Sequence, residues 1–251
     1  MYEDAQTLQR KIKSLDGLFI PAHVFTPFKS LYGKGVLASV TEVFDPYLID
    51  GVEIGLSADT KMADSLKELH RYTLVSNSDA HSLPNIAREY QKIHGSAPTF
   101  TSLRKALYQE AGHYISANYG LHSLLGKYYT TTCAQCFTKK EGTTCTVCGA
   151  SNWIKGVSER IQELMTATKQ EHPKRPPYIH QVPLRFLPGL GPKTMNRLLN
   201  QFGTEMQILH HVSKDELIEV VNDKIASHII AARNRTLSII RGGGGRYGKV
   251  R

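Results

Sequence analysis

Cys133-Ala-Gln-Cys136, eight residues, then Cys145-Thr-Val-Cys148-Gly149 is the stretch that decides how this chain divides. It uses all four cysteines. Each CxxC turn presents two thiolates at one point, and two such turns close a tetrahedral sulfur shell with the geometry of a structural zinc site. Gly149 suits the turn of a zinc-ribbon knuckle. The alternative is two disulfides or four unrelated buried thiols, but disulfide scaffolds belong to short secreted chains and nothing here looks secreted. A ribbon this small has almost no apolar core, so bound metal would supply its folding free energy. Four protein ligands leave no open position, so Cys133, Cys136, Cys145 and Cys148 read as structural.

Around the ribbon, 251 residues suffice for two or three small domains, and 41% hydrophobic content supports packed cores. No stretch has the ~18 uninterrupted apolar residues of a membrane span, and Met-Tyr-Glu-Asp-Ala-Gln has no apolar signal region. A cytoplasmic protein is expected. A net charge of +9 and a pI near 9.3 suggest a polyanionic partner.

Residues 1–120 alternate helical and strand-like patterns. Leu8, Ile12 and Leu15 have helical spacing, and Leu18-Phe19-Ile20-Pro21-Ala22-His23 reads as a buried strand. Residues 48–54 and 73–76 look like two more strands. Helical segments are expected at 62–70, 84–93 and 101–112, giving an α/β block with a parallel sheet. Residues 121–156 are the ribbon and its flanks, and 157–177 hold a helix (about 157–169) and a Pro-rich linker. Residues 178–240 read as all-α, and 241–251 as a flexible Gly/Arg tail.

In the helical part, Leu187-Pro-Gly189-Leu-Gly191-Pro-Lys193-Thr194 opens a helix. Gly189 and Gly191 let backbone approach a phosphate, the following amides point outward at a helix N-terminus, and Lys193 adds charge without reading sequence. The motif resembles the helix-hairpin-helix of DNA repair proteins; the alternative is an ordinary packing corner. A degenerate second hairpin is expected near residues 220–226. In the first block, His23, Glu53 and the Asp79-Ala80-His81 triplet stand at expected strand ends, where α/β folds keep their chemistry. Imidazole plus carboxylate suits zinc, manganese or iron, and clustered ions suit phosphodiester cleavage.

Pro21-Ala-His23 and Ser78-Asp79-Ala-His81 resemble motifs of the PHP (polymerase and histidinol phosphatase) phosphoesterase domain, a distorted (β/α)7 barrel. Such a barrel, then a four-cysteine ribbon, then a helix-hairpin-helix is the order of the endonuclease Q family, and the resemblance covers nearly the whole chain. It implies cleavage of DNA 5′ of deaminated bases (uracil, hypoxanthine, xanthine) or of abasic sites. It also implies that His23, Asp79 and His81 ligate catalytic Zn2+, Mn2+ or Mg2+, with Glu53 at a family-like position. The sequence departs from the family in having no His-x-His, so the block is expected to be the C-terminal part of the barrel, inactive without an N-terminal companion segment. The other readings are a noncatalytic DNA-binding module carrying a relic PHP fragment, and a PHP enzyme acting on a small phosphate ester. Tyr128, Tyr129 and Trp153 are either ribbon packing or a platform for an extruded base.

Overall fold

The computed structural model describes residues 3–167 and 171–251; of the helix expected over 157–169, positions 168–169 lie outside the described residues, and within them the helix ends at Leu164. Helix α1 (Ala5–Ser14) starts at Asp4, whose carboxylate accepts the Thr7 amide at 2.8 Å. Its apolar stripe behaves unexpectedly. Leu8 and Leu15 are exposed, and Gln9 is fully buried, exchanging hydrogen bonds with the backbone of Asp45.

The expected strand at 18–23 does not form a ladder strand, and His23 at its end takes left-handed backbone. It still lies beside β1 (Val52–Glu53), because Asp50 and Glu53 donate to the carbonyls of Phe19 and Pro21 and Val24 donates to Glu53. β1 runs parallel to β2 (Leu74–Val75), in register Val52↔Leu74. Both strands are buried on both faces, as parallel strands are. Each ladder is only two residues long where four to seven were expected. Short α2 (Thr60–Ala63), capped by Asp59, lies between these two strands in the chain.

The helix expected at 84–93 does not form. Residues Leu83–Asn85 make a 3₁₀ turn, and β3 (Tyr90–His94) then pairs antiparallel with β4 (Tyr114–Leu121) across the connecting helix α3 (Phe100–Tyr108). Cross-strand stacking overrides the helical spacing: Tyr90 lies on Tyr119 with centroids 4.5 Å apart, and His94 on Tyr114 at 4.8 Å. The β3–β4 pair is the antiparallel edge of a second sheet. Among the described residues no closed barrel forms; the two sheets meet where the buried Asn118 amide donates to the Leu74 carbonyl.

The ribbon pairs β5 (Thr132–Cys133) with β6 (Trp153–Ile154). Helix α4 (Val157–Leu164) leaves the ribbon and buries Val157, Ile161 and Leu164 in the first core, with Phe25, Tyr32, Ile54 and Leu66. The linker is pinned: Arg175 holds Asp64 at 2.8 Å and donates to the carbonyls of Leu69 and Tyr72. β7 (Tyr178–Gln181) then adds to β4 in parallel, so the boundary expected at 177/178 is bridged by a strand pair.

The second core is helical: α5 (Pro192–Phe202), α6 (Glu205–His210), α7 (Lys214–Val220) and α8 (Asp223–Arg233) enclose Leu184, Leu198, Ile208, Leu217 and Ile229. Caps set its corners. Thr204 accepts the Gln207 amide, Ser213 and Glu216 form a capping box, and Asn222 accepts the Ile225 amide.

The tail departs most from expectation. β8 (Ile239–Ile240) pairs with β9 (Lys249–Val250), and the hairpin between them is laced to residues 124–130. Gly242 and Gly248 donate to the carbonyls of Leu124 and Leu125, and Thr130 donates to Gly242. Residues 241–251 are thus a docked hairpin, not a flexible tail.

Candidate active site and cysteine centre

The four cysteines are unoxidised and offer four sulfurs that all lie within 4.8 Å of one another. Cys133 and Cys148 Sγ are 3.5 Å apart, and Cys136 and Cys145 Sγ 3.4 Å. Zn–S bonds of ~2.3 Å in a tetrahedron put sulfurs about 3.8 Å apart, so the shell has the dimensions of a zinc site. Hydrogen bonding with the Thr138 hydroxyl and amide lowers the Cys136 thiol, whereas Cys148, against a hydrogen bond from the Ala150 backbone, is pushed up by the Cys133 and Cys136 sulfurs, so the cluster titrates as a group. Trp153 serves this ribbon, donating from its indole to the Thr143 carbonyl.

His23, Glu53, Asp79 and His81 come together at one cleft of about 490 Å³. The extended run beside β1 delivers His23, β1 delivers Glu53, and the loop after β2 delivers Asp79 and His81. His23 (φ +37°) and Asp79 (φ +46°) both hold left-handed backbone, rare outside glycine and costing of order 1–3 kcal/mol each. Gly55 (φ +74°) makes room, since a Cβ there would sit 3.2 Å from that of His23.

The donors are in different states of readiness. His23 Nδ1 is buried with no partner, an orphaned nitrogen of the kind a cation would satisfy. His81 is exposed, and its Nδ1 lies 2.7 Å from the Asp79 carbonyl, which fixes the ring and leaves Nε2 outward. Glu53 is already engaged: its carboxylate accepts the amides of His23, Gly55 and Asn77, tying the three donor segments together. Burial pushes its pKa up against those bonds. Among the described residues, the cysteines alone bring three or more ligand atoms within 4.8 Å of one another. The cleft assembles donor segments without a closed ligand shell.

Several lining residues carry no motif in the sequence. Arg88 is almost fully buried, 2.5 Å from Glu89 Oε1 and 3.2 Å from Asn85 Oδ1. Burial raises Glu89 to about 7 despite that partner. Lys29 and Lys127 add positive charge. Tyr128 lines the cleft, with Phe28 edge-on at 6.1 Å, whereas Tyr129 and Trp153 face a separate groove beside the ribbon. Tyr247 reaches the cleft from the C-terminal hairpin, over Lys127 and against Phe186. The pairs Ile239-Ile240 and Lys249-Val250 flanking five glycines (Gly242–Gly245 and Gly248) were the available sign that this segment folds back. Asp59 is not in the cleft: it caps α2, accepts the Ser123 hydroxyl, and faces His180 at 3.9 Å.

In the helical part, Gly189 (φ +80°) turns the chain into α5, where Gly191 is the N-cap and Pro192 the first residue. No side chain caps this helix, so its first amides stay available beside exposed Lys193 and half-buried Thr194. The turn at 221–222 is different: the Asn222 side chain fills that helix start, and Val221, Ile225 and Ala226 are buried.

No model of a known protein family matches the chain. The uncharacterized protein YqxK of Bacillus subtilis is 49% identical over 253 residues, spanning all of this chain and 65% of that protein. The lesion-specific endonuclease PfuEndoQ from Pyrococcus furiosus has a solved structure that superposes with a TM-score of 0.87 at 36% identity, covering all of this chain and 66% of that one. A structure of endonuclease Q with a 27-mer duplex bearing an abasic lesion at its active site superposes at 0.88 with 35% identity, covering all of this chain and 67% of that one. The chain therefore spans just under two thirds of its Bacillus relative and about two thirds of each solved endonuclease. With likeness over its whole length to two solved structures of one kind, the chain belongs to the endonuclease Q family.

Proposed function

We propose that this chain supplies the DNA-binding part and a portion of the hydrolytic centre of a metal-dependent repair endonuclease. Its substrate is duplex DNA cut 5′ of a deaminated base (uracil, hypoxanthine or xanthine) or an abasic site. The observation that carries the reading is the convergence of His23, Glu53, Asp79 and His81, from three separate segments, on one cleft flanked by Lys29, Arg88 and Lys127.

His23, Asp79 and His81 would hold Zn2+, Mn2+ or Mg2+, which when bound supplies Lewis acidity and an activated water. Glu53 orients His23 and the 77–79 loop through its backbone hydrogen bonds. Lys29 and Lys127 attract the diester and balance its charge, while Arg88 is held by Glu89 in the cleft wall. Tyr128 and Tyr247 narrow the entrance with apolar surface. Gly189, Gly191, Lys193 and Thr194 take a backbone phosphate at the start of α5. The cysteines hold structural zinc. One carboxylate and two imidazoles are too few to hold two or three ions ~3.5–4 Å apart, so the remaining donors come from a segment outside residues 1–251 or a companion chain.

A second reading, a noncatalytic DNA-binding module, is favoured by one observation: the hydrolytic donors are not gathered within coordination distance. The deciding experiment incubates duplexes bearing uracil, hypoxanthine or an abasic site with Mn2+, Mg2+ or Zn2+ and the chain, with and without the polypeptide that carries the further donors. Nicking that needs both parts supports the proposal. Efficient metal-dependent nicking by residues 1–251 alone overturns the split donor set. Tight DNA binding with no nicking in any combination establishes the noncatalytic module.

A further inference from the structure

The docked C-terminal hairpin creates a second pocket, apart from the donor cleft. Its turn, Gly242–Gly245, lies against the ribbon edge at Thr130 and Thr132, enclosing about 240 Å³. Two hydroxyls lining it are unsatisfied: Thr130 Oγ1 and Thr132 Oγ1 are buried without a hydrogen-bond partner, and Thr132 is only 3% exposed. Buried hydroxyls are ordinarily paired, so two orphans on one wall mark a missing ligand with acceptor oxygens.

The charge at the rim agrees. Lys139, Arg241 and Arg246 border the pocket, and among the described residues none of them ion-pairs with a carboxylate and no acidic side chain lines it. Arg246 lies 4.4 Å over the Phe137 ring and Arg241 5.8 Å over Tyr129, which limits their freedom without neutralising them. The Cys136 sulfur also borders the site, and three cations outweigh it. Close approach of the turn requires glycine: at Gly244 (φ +61°) a Cβ would fall 2.6 Å from both Thr132 Oγ1 and a Phe137 ring carbon. Donors, cations and a glycine turn on one pocket are the constituents of a phosphate cradle.

We propose that this pocket binds a backbone phosphate of duplex DNA, through Thr130, Thr132, Arg241 and Arg246. DNA is the source assigned because Tyr247 lines both this pocket and the donor cleft, so one strand crossing the cleft continues into it. The inference rests on the DNA-binding reading above and extends it to a site that reading did not include.

The test is the salt dependence of binding to a short labelled duplex, followed by fluorescence anisotropy, with zinc content as the folding control. Arg241→Gln/Arg246→Gln is expected to weaken binding about tenfold at low salt and reduce the log–log salt slope by about one. Thr132→Val should weaken binding a few-fold with zinc retained, and Arg246→Lys should keep the slope. An unchanged slope in the double variant with zinc intact overturns the site. Should the double variant lose zinc, Thr132→Val decides: unchanged affinity overturns the site. If wild-type protein binds inorganic phosphate in a 31P titration through Thr132 but not duplex DNA, the DNA assignment falls, and the DNA-binding reading with it. Wild-type binding that depends on Lys193 but on none of the pocket residues overturns this inference alone.

Discussion

The cysteine centre and the donor cleft both present ligands suited to cations, yet they are assembled in opposite ways. The cysteine ligands lie within residues 133–148, and two tight turns suffice to gather them. The cleft draws donors from residues 23, 53, 79 and 81, and only the β1–β2 pairing and the Glu53 hydrogen bonds bring those segments together. The first stores its specification locally, whereas the second depends on a sheet and on left-handed backbone at His23 and Asp79. A locally closed shell lends stability to the fold, and a strained open one draws stability from it.

The largest effect should follow from opening the closed shell. Cys145→Ser removes a buried ligand, and structural zinc in comparable modules is worth on the order of 10 kcal/mol. We expect loss of one metal ion per chain and of hydrogen-exchange protection across 130–155. The C-terminal hairpin should follow, because Phe137 and Thr132 pack against Gly244. A hairpin that stays protected after metal loss would show that it docks independently of the ribbon.

Next in size is the chemistry of the open shell. If the proposed function holds, Asp79→Ala in the assembled, metal-supplied protein should lower nicking by at least about a hundredfold, since loss of a proposed metal ligand removes several kcal/mol of charge stabilisation. DNA affinity should change less than twofold, and Tm should not fall. A drop in Tm like that of Cys145→Ser would mean the two regions are not opposites.

The same contrast explains what could be read from the residues alone. The ribbon was legible because spacing within one short stretch is its structure. The glycine turn into α5 was legible for a similar reason: Gly189, Gly191 and Pro192 each have one local task. The donor motifs were recognisable through their resemblance to a known family, while their geometry was not, because it depends on partners far along the chain. Residues 84–93 were misjudged as helix because the deciding contacts, Tyr90 on Tyr119 and His94 on Tyr114, join segments some twenty to thirty residues apart. Of the helically spaced Leu8, Ile12 and Leu15, only Ile12 packs against the core, so spacing found the helix and placed its buried face only in part. The tail was misjudged through glycine content. Its fold lies in hydrogen bonds to residues 124–130, which composition does not encode.

A smaller effect sharpens the claim of strain. Asp79→Gly should relax the left-handed position and raise stability by about 1 kcal/mol, even as it removes activity. The same substitution at Ala87 (φ +55°), which carries no donor, should stabilise similarly and retain the cleft chemistry. Urea midpoints for the two variants check this. Destabilisation at both positions would remove strain from the comparison.

The smallest expected effect concerns a third region, the seam between the two cores. There His210 pairs with buried Gln181 at 2.8 Å beneath Tyr119, and His122 lies 4.9 Å from His180. Burial, then the neighbouring His211 and Arg233, lowers His210 to about 4; burial, then His180, lowers His122 to about 4. Both are therefore neutral in the folded protein where free histidine, near 6.5, is already taking up protons. The unfolded chain then binds more protons than the folded one, so stability falls as pH falls. The contribution is complete above about 6.5 and is lost progressively down to about 4. Both rings keep some solvent contact, so the change should be modest, of the order of 0.3 M in the urea midpoint between pH 7 and 5. His210→Gln should flatten part of that dependence, because glutamine retains a hydrogen bond to Gln181 without titrating. Protonation of the cysteine thiolates also weakens the ribbon in acid, and a metal indicator separates the two events. A midpoint that falls only in step with metal release, and equally in His210→Gln, would assign the acid sensitivity to the closed shell rather than the seam.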